Sequence, residues 1–353
     1  MELAINVNIL SLIFRFAHFV LMKFIRIILF PIVPIYYLVT WFRNKLYDVG
    51  VKPVISYDFP VICVGNLSTG GTGKTPMIEY LIRLLKDEKS LATLSRGYKR
   101  KTEGFVLADE NANADTIGDE PFQFYNKFNE VTVSVDANRQ NGIAQLRKLK
   151  TPPEIILLDD AYQHRKVKAG FNILLTAYNN LYYKDIVLPT GNLREPRSGA
   201  KRADVIVVTK CRTDISEEEK SEITAKLKLE HHQMVFFSYV DYSNRVISNL
   251  NTLELDALPK FVLVTGIANA KPLVNFLAKK GLNFDHIEYS DHYNFRTSDI
   301  ENLASKSLII TTEKDYVRLS VNESLKKKLY YLPIQIKIDK AENFNAVIRS
   351  FIS

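Results

Sequence analysis

Short apolar runs alternate with helical stretches along the chain after Gly50. Short continuous apolar runs are typical of buried strands, and apolar residues that recur every three or four positions are typical of amphipathic helices. Strands that alternate with helices indicate βαβ units and a mostly parallel, doubly wound sheet. The predicted strands are residues 60–64, 91–95, 131–135, 155–159, 172–176 and 203–209, and the predicted helices include residues 76–85 and 138–149.

A second series of elements follows a polar, acidic stretch at residues 214–220. It consists of a strand at 260–265, a helix near 271–280, and strands at 308–312 and 330–338. We interpret this series as a smaller α/β lobe. The predicted organisation is an N-terminal apolar segment (1–45), a core (46–257) and a C-terminal lobe (258–353).

The N-terminal segment contains a run of 16 uncharged residues, 27–42, with basic residues on both sides. As a helix this run would be ~24 Å long, which is short of a ~30 Å hydrocarbon core. Pro31 and Pro34 would also distort the helix. The pattern therefore favours an interfacial membrane-anchoring helix over a full span.

The aromatic residues of this run support the interfacial interpretation. Tyr36, Tyr37 and Trp41 are amphipathic aromatics of the kind found at headgroup depth, and the basic flanks suit anionic lipid. A secretory signal peptide is a competing interpretation, but no small-residue cleavage site follows Phe42. A buried first helix of the core is the other alternative. Residues 1–21 are either a poorly ordered extension or a second apolar helix.

Composition limits the class of partner. Hydrophobic residues make up 46% of the chain, which excludes a disordered protein. The 47 Lys and Arg against 39 Asp and Glu give a net charge of +8, which favours an anionic ligand or surface. The basic residues are dispersed and no groove-reading motif occurs, so we expect no nucleic-acid partner. Cys63 and Cys211, the only cysteines, are too few for a disulfide scaffold and favour a reducing compartment.

A glycine-rich turn follows the predicted strand at 60–64 and precedes the predicted helix at 76–85. It reads Ser68, Thr69, Gly70, Gly71, Thr72, Gly73, Lys74, Thr75. Strand, turn and helix form the context of a P-loop, in which backbone N–H groups cradle phosphate oxygens. Lys74 would reach the β- and γ-phosphates of ATP, and the Thr75 hydroxyl would bind Mg²⁺. Ser68 stands where the strict pattern has glycine, and a turn that binds nothing is the alternative.

Two adjacent carboxylates, Asp159 and Asp160, end the predicted strand at 155–159. Open α/β sheets bind ligands at the carboxyl ends of their strands. One of the two would hold Mg²⁺, directly or through water, and the spacing does not decide which. The sequence thus predicts an α/β fold: a P-loop-containing, doubly wound sheet, a smaller α/β lobe and an N-terminal membrane-anchoring helix.

Residues 159–165, Asp-Asp-Ala-Tyr-Gln-His-Arg, resemble the Asp-Asp-Gly-Phe-Gln-His signature of the tetraacyldisaccharide 4'-kinase family. Ala161 replaces glycine and Tyr162 replaces phenylalanine, and Asn192 stands where proline is usual. The change at Ala161 bears on the local backbone, since glycine adopts conformations that alanine disfavours. Further family motifs occur in order, at residues 65–76, 95–98, 118–121, 188–196, 290–295 and 311–315. The resemblance covers roughly residues 24 to 320.

The resemblance implies a reaction and a set of site residues. ATP would phosphorylate the 4'-hydroxyl of an acylated glucosamine disaccharide 1-phosphate, in lipid A biosynthesis, with Mg²⁺ as cofactor. Asp119 would be the catalytic base, with His292 and its neighbour Asp291 supporting catalysis from the second lobe. Glu195 would assist metal or nucleotide binding. The expected substrate-binding residues are Arg96, Tyr98, Glu120, His164 and Arg194.

The resemblance also implies a location and partners. The enzyme would act at the cytoplasmic face of a Gram-negative inner membrane, as a peripheral or monotopic protein. Its partners would be the lipid A disaccharide 1-phosphate precursor and the anionic membrane surface, and no obligate protein partner is expected. An apolar, basic N-terminal segment and a net positive charge suit an acylated, phosphorylated substrate.

Several residues have structural alternatives. Asp119 could cap the helix that begins near Pro121, because Asp at the N-cap and Pro just after it favour helix starts. His164 and His292 could be structural histidines with satisfied hydrogen bonds. Arg96 and Arg194 could be surface charges. Thr209 and Lys210, which follow an apolar run, would either touch the nucleotide or simply end a strand.

A membrane-tethered P-loop switch ATPase of the partitioning type is the alternative function. Such proteins share the Gly-Gly-x-Gly-Lys-Thr pattern. They carry a further lysine just before the paired glycines, where this chain has Thr69, and their membrane helix usually lies at the C-terminus. The kinase interpretation is therefore favoured.

Overall fold

The computed structural model of the protein describes residues 24–291 and 293–353. The α-helices are α1 (Val33–Asp48), α2 (Lys74–Leu85), α3 (Ala114–Ile117), α4 (Asp119–Lys127), α5 (Arg139–Leu146), α6 (Glu217–Leu227), α7 (Lys271–Lys279), α8 (Thr297–Ala304), α9 (Glu313–Leu319) and α10 (Ala341–Ile352). Short 3-10 helices lie at Phe30–Ile32, Tyr182–Lys184, Arg197–Arg202 and Leu255–Ala257.

The strands follow the same chain order. They are β1 (Val61–Asn66), β2 (Leu91–Ser95), β3 (Val106–Leu107), β4 (Thr132–Val135), β5 (Ile155–Asp159), β6 (Phe171–Ala177), β7 (Val205–Thr209), β8 (Met234–Tyr242), β9 (Arg245–Ile247), β10 (Thr252–Glu254), β11 (Phe261–Thr265), β12 (Phe284–Glu288), β13 (Ile309–Thr311), β14 (Leu329–Tyr331) and β15 (Ile334–Ile338).

The larger sheet has nine strands in the order β15-β8-β7-β6-β1-β5-β2-β4-β3. The inner pairs are parallel, and the two edge strands, β3 and β15, pair antiparallel with their neighbours. β1 lies between β5 and β6, with Val64 opposite Asp159. The carboxyl ends of β1 and β5 therefore meet at one edge of the sheet, where such folds bind ligands.

The larger sheet is covered on both faces, which explains why its inner strands are apolar runs rather than alternating patterns. Every residue of β1, β2, β5 and β7 is buried. One face packs against α2, α4 and α10, and the other against α5 and α6. The predicted α/β class with a parallel sheet is confirmed, and most predicted strands agree with the observed ones within two residues at either end.

The smaller sheet has the order β10-β9-β14-β13-β11-β12, with parallel pairs around β11 and β13. The prediction of one strand at 330–338 is wrong. Pro333 separates β14, in the smaller sheet, from β15, which returns to the larger one. Proline has no N–H for a strand ladder, so the chain changes sheet at this point.

Sheet membership also crosses the predicted limits of the core and the C-terminal lobe. β9 and β10, within residues 46–257, belong to the smaller sheet. The last helix, α10, packs with Phe344 and Ile348 in the core of the larger sheet. The two sheets are thus connected by two chain crossings rather than one, between β8 and β9 and between β14 and β15.

α1 lies on the protein surface and exposes a broad apolar face. The exposed side chains of α1 and the residues before it include Phe24, Ile25, Ile27, Ile28, Phe30, Ile32, Ile35, Leu38, Val39, Trp41 and Phe42. The opposite face carries the buried Asn44 and Tyr47. In the part of the chain that the structure describes, no helix is both long enough and apolar enough to cross a membrane.

Candidate active site

The glycine-rich turn lies between the end of β1 and the start of α2, which begins at Lys74. Gly70 and Gly73 have φ values of 99° and 88°, a region that side chains with a Cβ rarely adopt. The turn runs antiparallel to residues 192–194: the N–H of Thr69 donates to the carbonyl of Asn192 at 2.8 Å, and the N–H of Arg194 to that of Leu67 at 2.7 Å. The turn is therefore held in a fixed shape from one side.

Thr209 and Lys210, at the end of β7, hold the same turn from another side. The Thr209 hydroxyl donates to the Thr72 carbonyl at 2.7 Å, and the Lys210 ammonium to the Gly71 carbonyl at 2.6 Å. The Asn66 amide donates to the Thr72 hydroxyl at 2.8 Å. These contacts use the carbonyl side of the turn, while the first N–H groups of α2 have no acceptors within the helix. The arrangement suits an anion at the helix N-terminus.

Asp159 is buried at the end of β5. One of its oxygens, Oδ2, accepts from the Ser95 hydroxyl at 3.2 Å, and Oδ1 is buried without a hydrogen-bond partner among the described residues. Burial, and after it the charge of Asp160, raise the pKa of Asp159 to about 6. An unsatisfied buried carboxylate oxygen is costly, so this atom is suited to a cation or a bound water.

Asp160 faces the cationic side of the site. Lys74 lies 3.7 Å and Arg194 2.8 Å from its carboxylate. Burial would raise the pKa of Asp160, but these two cations outweigh it and hold the pKa below its usual value. Asp160, not Ala161, has the left-handed φ of 47° in this segment. The substitution of glycine by Ala161 therefore needs no unusual backbone, because Asp tolerates this region better than most residues.

Glu195 is enclosed in a buried network. Its carboxylate accepts from the Asn44 amide at 2.6 Å, the Gln163 amide at 2.9 Å and the Arg202 guanidinium at 2.8 Å. These donors occupy both oxygens, and Arg202 balances the charge, so the contacts give no support to the predicted metal or nucleotide role. Within residues 24–291 and 293–353, no group of three or more His, Cys, Asp or Glu side chains is placed to hold a metal.

Asp119, the predicted base, begins α4 and is paired with Arg318 of α9 in the second lobe. Nε of Arg318 donates to Oδ1 of Asp119 at 3.1 Å, and a terminal nitrogen donates to Oδ2. The helix-capping interpretation of Asp119 is wrong, because Gly118 occupies the N-cap and no side chain caps the helix. A two-point guanidinium contact fixes the orientation of the carboxylate.

A further ion pair joins the lobes beside Asp119, and its lysine also pairs with a carboxylate of its own lobe. Lys314 lies 3.9 Å from Glu120 and 3.5 Å from Asp291. The charge of Glu120 also contributes to the raised pKa of Asp159, after burial and the charge of Asp160. His292, the other predicted catalytic residue, lies outside the described residues.

A cavity of about 310 Å³ opens between the two lobes at this point. Asp119, Arg318, Tyr98 and Phe295 are among the residues that line it. Tyr98, predicted to bind substrate, is 58% exposed there. The structure thus brings the predicted base and one predicted substrate residue to the same inter-lobe cavity.

His164 follows the aspartate pair closely in the chain, and its backbone N–H donates to the carbonyl of Ala161 at 2.8 Å. Burial, and then the charges of Arg139 and Arg96, lower the pKa of His164 to about 4, so the ring is neutral at physiological pH. Arg139 is buried and donates to the backbone carbonyls of Asp136 and Asp159. A neutral imidazole can act here as a hydrogen-bonding group.

Comparison with known proteins identifies the family. The model of the family described as tetraacyldisaccharide-1-P 4'-kinase matches residues 25–353. The chain belongs to the tetraacyldisaccharide 4'-kinase family. A protein of that name from Flavobacterium johnsoniae is 54% identical over 338 residues, covering 94% of this chain and 98% of the relative. A namesake from Bacteroides fragilis is 43% identical, covering 88% and 89%.

A solved structure of this kinase family is also similar. The "apo" form of LpxK from Aquifex aeolicus, crystallised in complex with ATP, has a TM-score of 0.75 and 29% sequence identity to this chain. The match covers 93% of this chain and all of the other. The whole two-sheet architecture is therefore that of the tetraacyldisaccharide 4'-kinases.

Sequence reasoning missed four residues that the structure brings to the site of this kinase: Arg318, Arg139, Asn44 and Tyr36. Arg318 pairs with Asp119. Asn44 and Tyr36, both in α1, hydrogen-bond to the segment at residues 194–195. Arg318 lies three residues after the family motif at 311–315, where the continuation of a helical face could have signalled it. Nothing in the local pattern marks Asn44 or Tyr36, because their partners lie more than 150 residues away.

Proposed function

We propose that this kinase transfers the γ-phosphoryl group of ATP to the 4'-hydroxyl of an acylated glucosamine disaccharide 1-phosphate, a step of lipid A biosynthesis. The observation that carries the proposal is the convergence of the glycine-rich turn and the aspartate pair at one sheet edge, where Lys74 lies 3.7 Å from Asp160. Membership of the tetraacyldisaccharide 4'-kinase family supports the choice of acceptor.

The ATP phosphates would bind at Ser68, Thr69, Gly70, Gly71, Thr72, Gly73, Lys74 and Thr75. Lys74 begins α2, so its ammonium and the helix N-terminus would act on the same phosphates. The ion pair of Lys74 with Asp160 keeps the ammonium near this position. The ATP in the Aquifex aeolicus relative supports the choice of nucleotide.

Magnesium would be held by Thr75 and by Asp159 or Asp160. The unsatisfied Oδ1 of Asp159 is the feature that fits a cation or its bound water. Bound Mg²⁺ would neutralise charge on the β- and γ-phosphates. Removing the metal with a chelator is then expected to abolish transfer, and added Mg²⁺ to restore it.

The acceptor sugar would enter the inter-lobe cavity beside Asp119. As the 4'-oxygen attacks the γ-phosphorus and ADP leaves, the hydroxyl proton would pass to the carboxylate. Arg318 donates to both oxygens of Asp119 and so fixes the orientation in which the carboxylate would meet the hydroxyl. Arg96, Tyr98, Glu120, His164 and Arg194 remain the proposed contacts to phosphates and sugar.

The acyl chains of the acceptor would remain in the cytoplasmic leaflet of the inner membrane. The exposed apolar face of α1 and of the residues before it is the surface suited to this leaflet. Exposed apolar surface of this extent is uncommon on soluble proteins and marks a contact surface. The helix would lie in the interface, anchored by its aromatic and basic side chains.

A transfer assay with and without acceptor tests the proposal. Purified protein, ATP and Mg²⁺ should release ADP in step with phosphorylation when the acylated disaccharide 1-phosphate is present in detergent, and only slowly without it. The same ADP release rate with and without acceptor would contradict the kinase proposal and favour a switch ATPase.

A further inference from the structure

α1 has a polar face that touches the nucleotide site, in addition to its exposed apolar face. Asn44 is 8% exposed, and its amide donates to Glu195 at 2.6 Å. The Tyr36 hydroxyl donates to the carbonyl of Arg194 at 2.9 Å, and Arg43 donates to the carbonyl of Gln163 at 2.9 Å. All three contacts reach the residues that surround the aspartate pair.

The residues held by α1 in turn hold the end of β1. The Gln163 amide donates both to Glu195, at 2.9 Å, and to the backbone carbonyl of Asn66, at 2.8 Å. Arg194 donates to the Asn66 side-chain oxygen as well as to Asp160. Two connections therefore run from α1 and meet at one residue.

Asn66 is the last residue of β1 and contacts the glycine-rich turn directly. Its amide donates to the Thr72 hydroxyl at 2.8 Å, and both side chains are buried. The amide oxygen of Asn66 accepts from Arg194, and its amide nitrogen donates to Thr72. The orientation of the Asn66 side chain is therefore fixed from both sides. If Gln163 or Arg194 moved, Asn66 would move with it and change the position of the glycine-rich turn.

We infer that Asn44 and Tyr36 are positioning residues of the ATP site, which act on the glycine-rich turn through Glu195, Gln163, Arg194 and Asn66. The inference rests on the proposed ATP-binding role of the turn. It makes α1 part of the nucleotide site as well as the segment with the exposed apolar face.

The chemistry of the network favours a positioning role over simple packing. Asn44 supplies the only contact from α1 to the buried carboxylate of Glu195 among the described residues. Without it, Oε2 keeps only the more distant Arg202 contact at 3.0 Å, and the carboxylate is free to turn away from Gln163. Buried polar networks lose geometry when one member loses its partner. A purely packing role would instead change stability and leave ATP affinity as it is.

The test compares Asn44→Ala with Thr40→Ala in the full-length chain. Thr40 lies one turn earlier on α1, and its hydroxyl contacts only carbonyls of the same helix. The dissociation constant of ATP·Mg is measured by calorimetry in detergent without acceptor, well below the unfolding temperature. We expect Asn44→Ala to weaken binding at least about fivefold, a typical coupling between linked sites, and Thr40→Ala to match wild type.

Tyr36→Phe keeps the aromatic ring and removes only the hydroxyl. This variant tests whether α1 positions the ATP site if Asn44→Ala does not fold. Like Asn44→Ala, it should weaken ATP binding. The KM for the acylated acceptor should stay within about twofold of wild type, as expected for an effect on nucleotide affinity alone. Folded variants that bind ATP like wild type overturn the inference. The proposed function is tested separately by acceptor transfer in wild type, so either claim can fail without the other.

Discussion

At the scale of single residues, the site is organised by charges that neutralise one another until the nucleotide binds. Lys74 pairs with Asp160, which also receives Arg194, and Asp119 pairs with Arg318. At the proposed site, ATP·Mg would add both negative phosphates and a cation at this edge of the sheet. The two lysines nearest the turn, Lys74 and Lys210, lie close enough that burial and the charge of Lys74 lower the pKa of Lys210. An anion there would relieve that repulsion.

Replacing Lys74 by Ala should reduce phosphoryl transfer roughly 10²–10³-fold, because one contact to developing transition-state charge is lost. The fold should persist, since Lys74 lies at the helix start and contributes no core packing. Lys86→Ala, a change of surface charge at the other end of α2, is the matched control and should keep wild-type turnover. Near wild-type activity of the Lys74 variant in steady-state assays would remove this residue from the mechanism.

Replacing Asp119 by Asn should lower kcat by about 10²-fold or more and leave ATP affinity nearly unchanged, because only the proton acceptor is lost. Arg318→Met should lower kcat less, through loss of orientation. The double variant should be little worse than Asp119→Asn alone, since the two side chains act as one unit. Steady-state kinetics of the four proteins measure this coupling, and strictly additive effects would show that Arg318 does not act through Asp119.

Sequence reasoning identified the residues of the site that occur in ordered motifs, and the structure brings several of them together. The turn at 68–75, Asp159 and Asp160 lie near one sheet edge because the parallel strands β1 and β5 end there. The buried network in which Glu195 contacts Arg202, Gln163 and Asn44 could not be predicted. Such long-range contacts leave no periodic signal in the sequence.

At the scale of elements, the junction of α4 and α9 determines how the lobes meet. Lys127 of α4 contacts Glu313 of α9 at 2.6 Å and Glu79 of α2 at 2.8 Å. Arg83 also pairs with Glu79, at 2.7 Å. Burial, and then the charge of Glu79, raise the pKa of Glu313 to about 7 in spite of Lys127.

This raised pKa predicts a pH dependence of stability. The folded state holds the Glu313 proton more tightly than the unfolded chain, whose pKa is 4.5, so the stability that this carboxyl contributes falls as pH rises from about 4.5 to about 7 and is constant above that. The stability of wild type relative to Glu313→Gln should therefore fall between pH 5.5 and pH 8. Urea denaturation of both proteins at the two pH values measures the difference, and an unchanged difference would contradict the raised pKa.

Element prediction succeeded where hydrophobic periodicity was strong and failed where the chain changed sheet. The inner strands β2 and β5 match their predicted limits, because continuous burial produces clear apolar runs. β14 and β15 were predicted as one strand, since nothing local distinguishes the two sheets that they join. Short edge elements such as β3 and β10 carry too few apolar residues to be recognised.

At the scale of the whole molecule, α1 connects an exposed apolar surface with the proposed nucleotide site. Its polar side holds Glu195 and Arg194, and its apolar side is exposed. Deleting residues 1–45 is therefore expected to weaken ATP binding as well as membrane association. Substitutions confined to the exposed apolar face of α1 should weaken membrane association and leave ATP binding unchanged.

Trp41 is the only tryptophan of the chain and is 44% exposed on this face, so its fluorescence reports on α1 directly. Anionic phospholipid vesicles should shift its emission to shorter wavelength, and high salt should weaken the effect because part of the attraction is electrostatic. Phe42→Ser, on the same exposed face, should reduce vesicle binding and leave the ATP dissociation constant unchanged. Emission that is insensitive to vesicles would contradict a membrane role of this face.

The central claim is transfer to one particular hydroxyl, and the position of the new phosphate in the product tests it most directly. Wild-type protein, ATP, Mg²⁺ and acylated disaccharide 1-phosphate should yield a product with one phosphate at position 1 and one at position 4', resolved by ³¹P and proton NMR, and Lys74→Ala should yield almost none. A product phosphorylated at another hydroxyl, or ADP release without a phosphorylated lipid, would contradict the account.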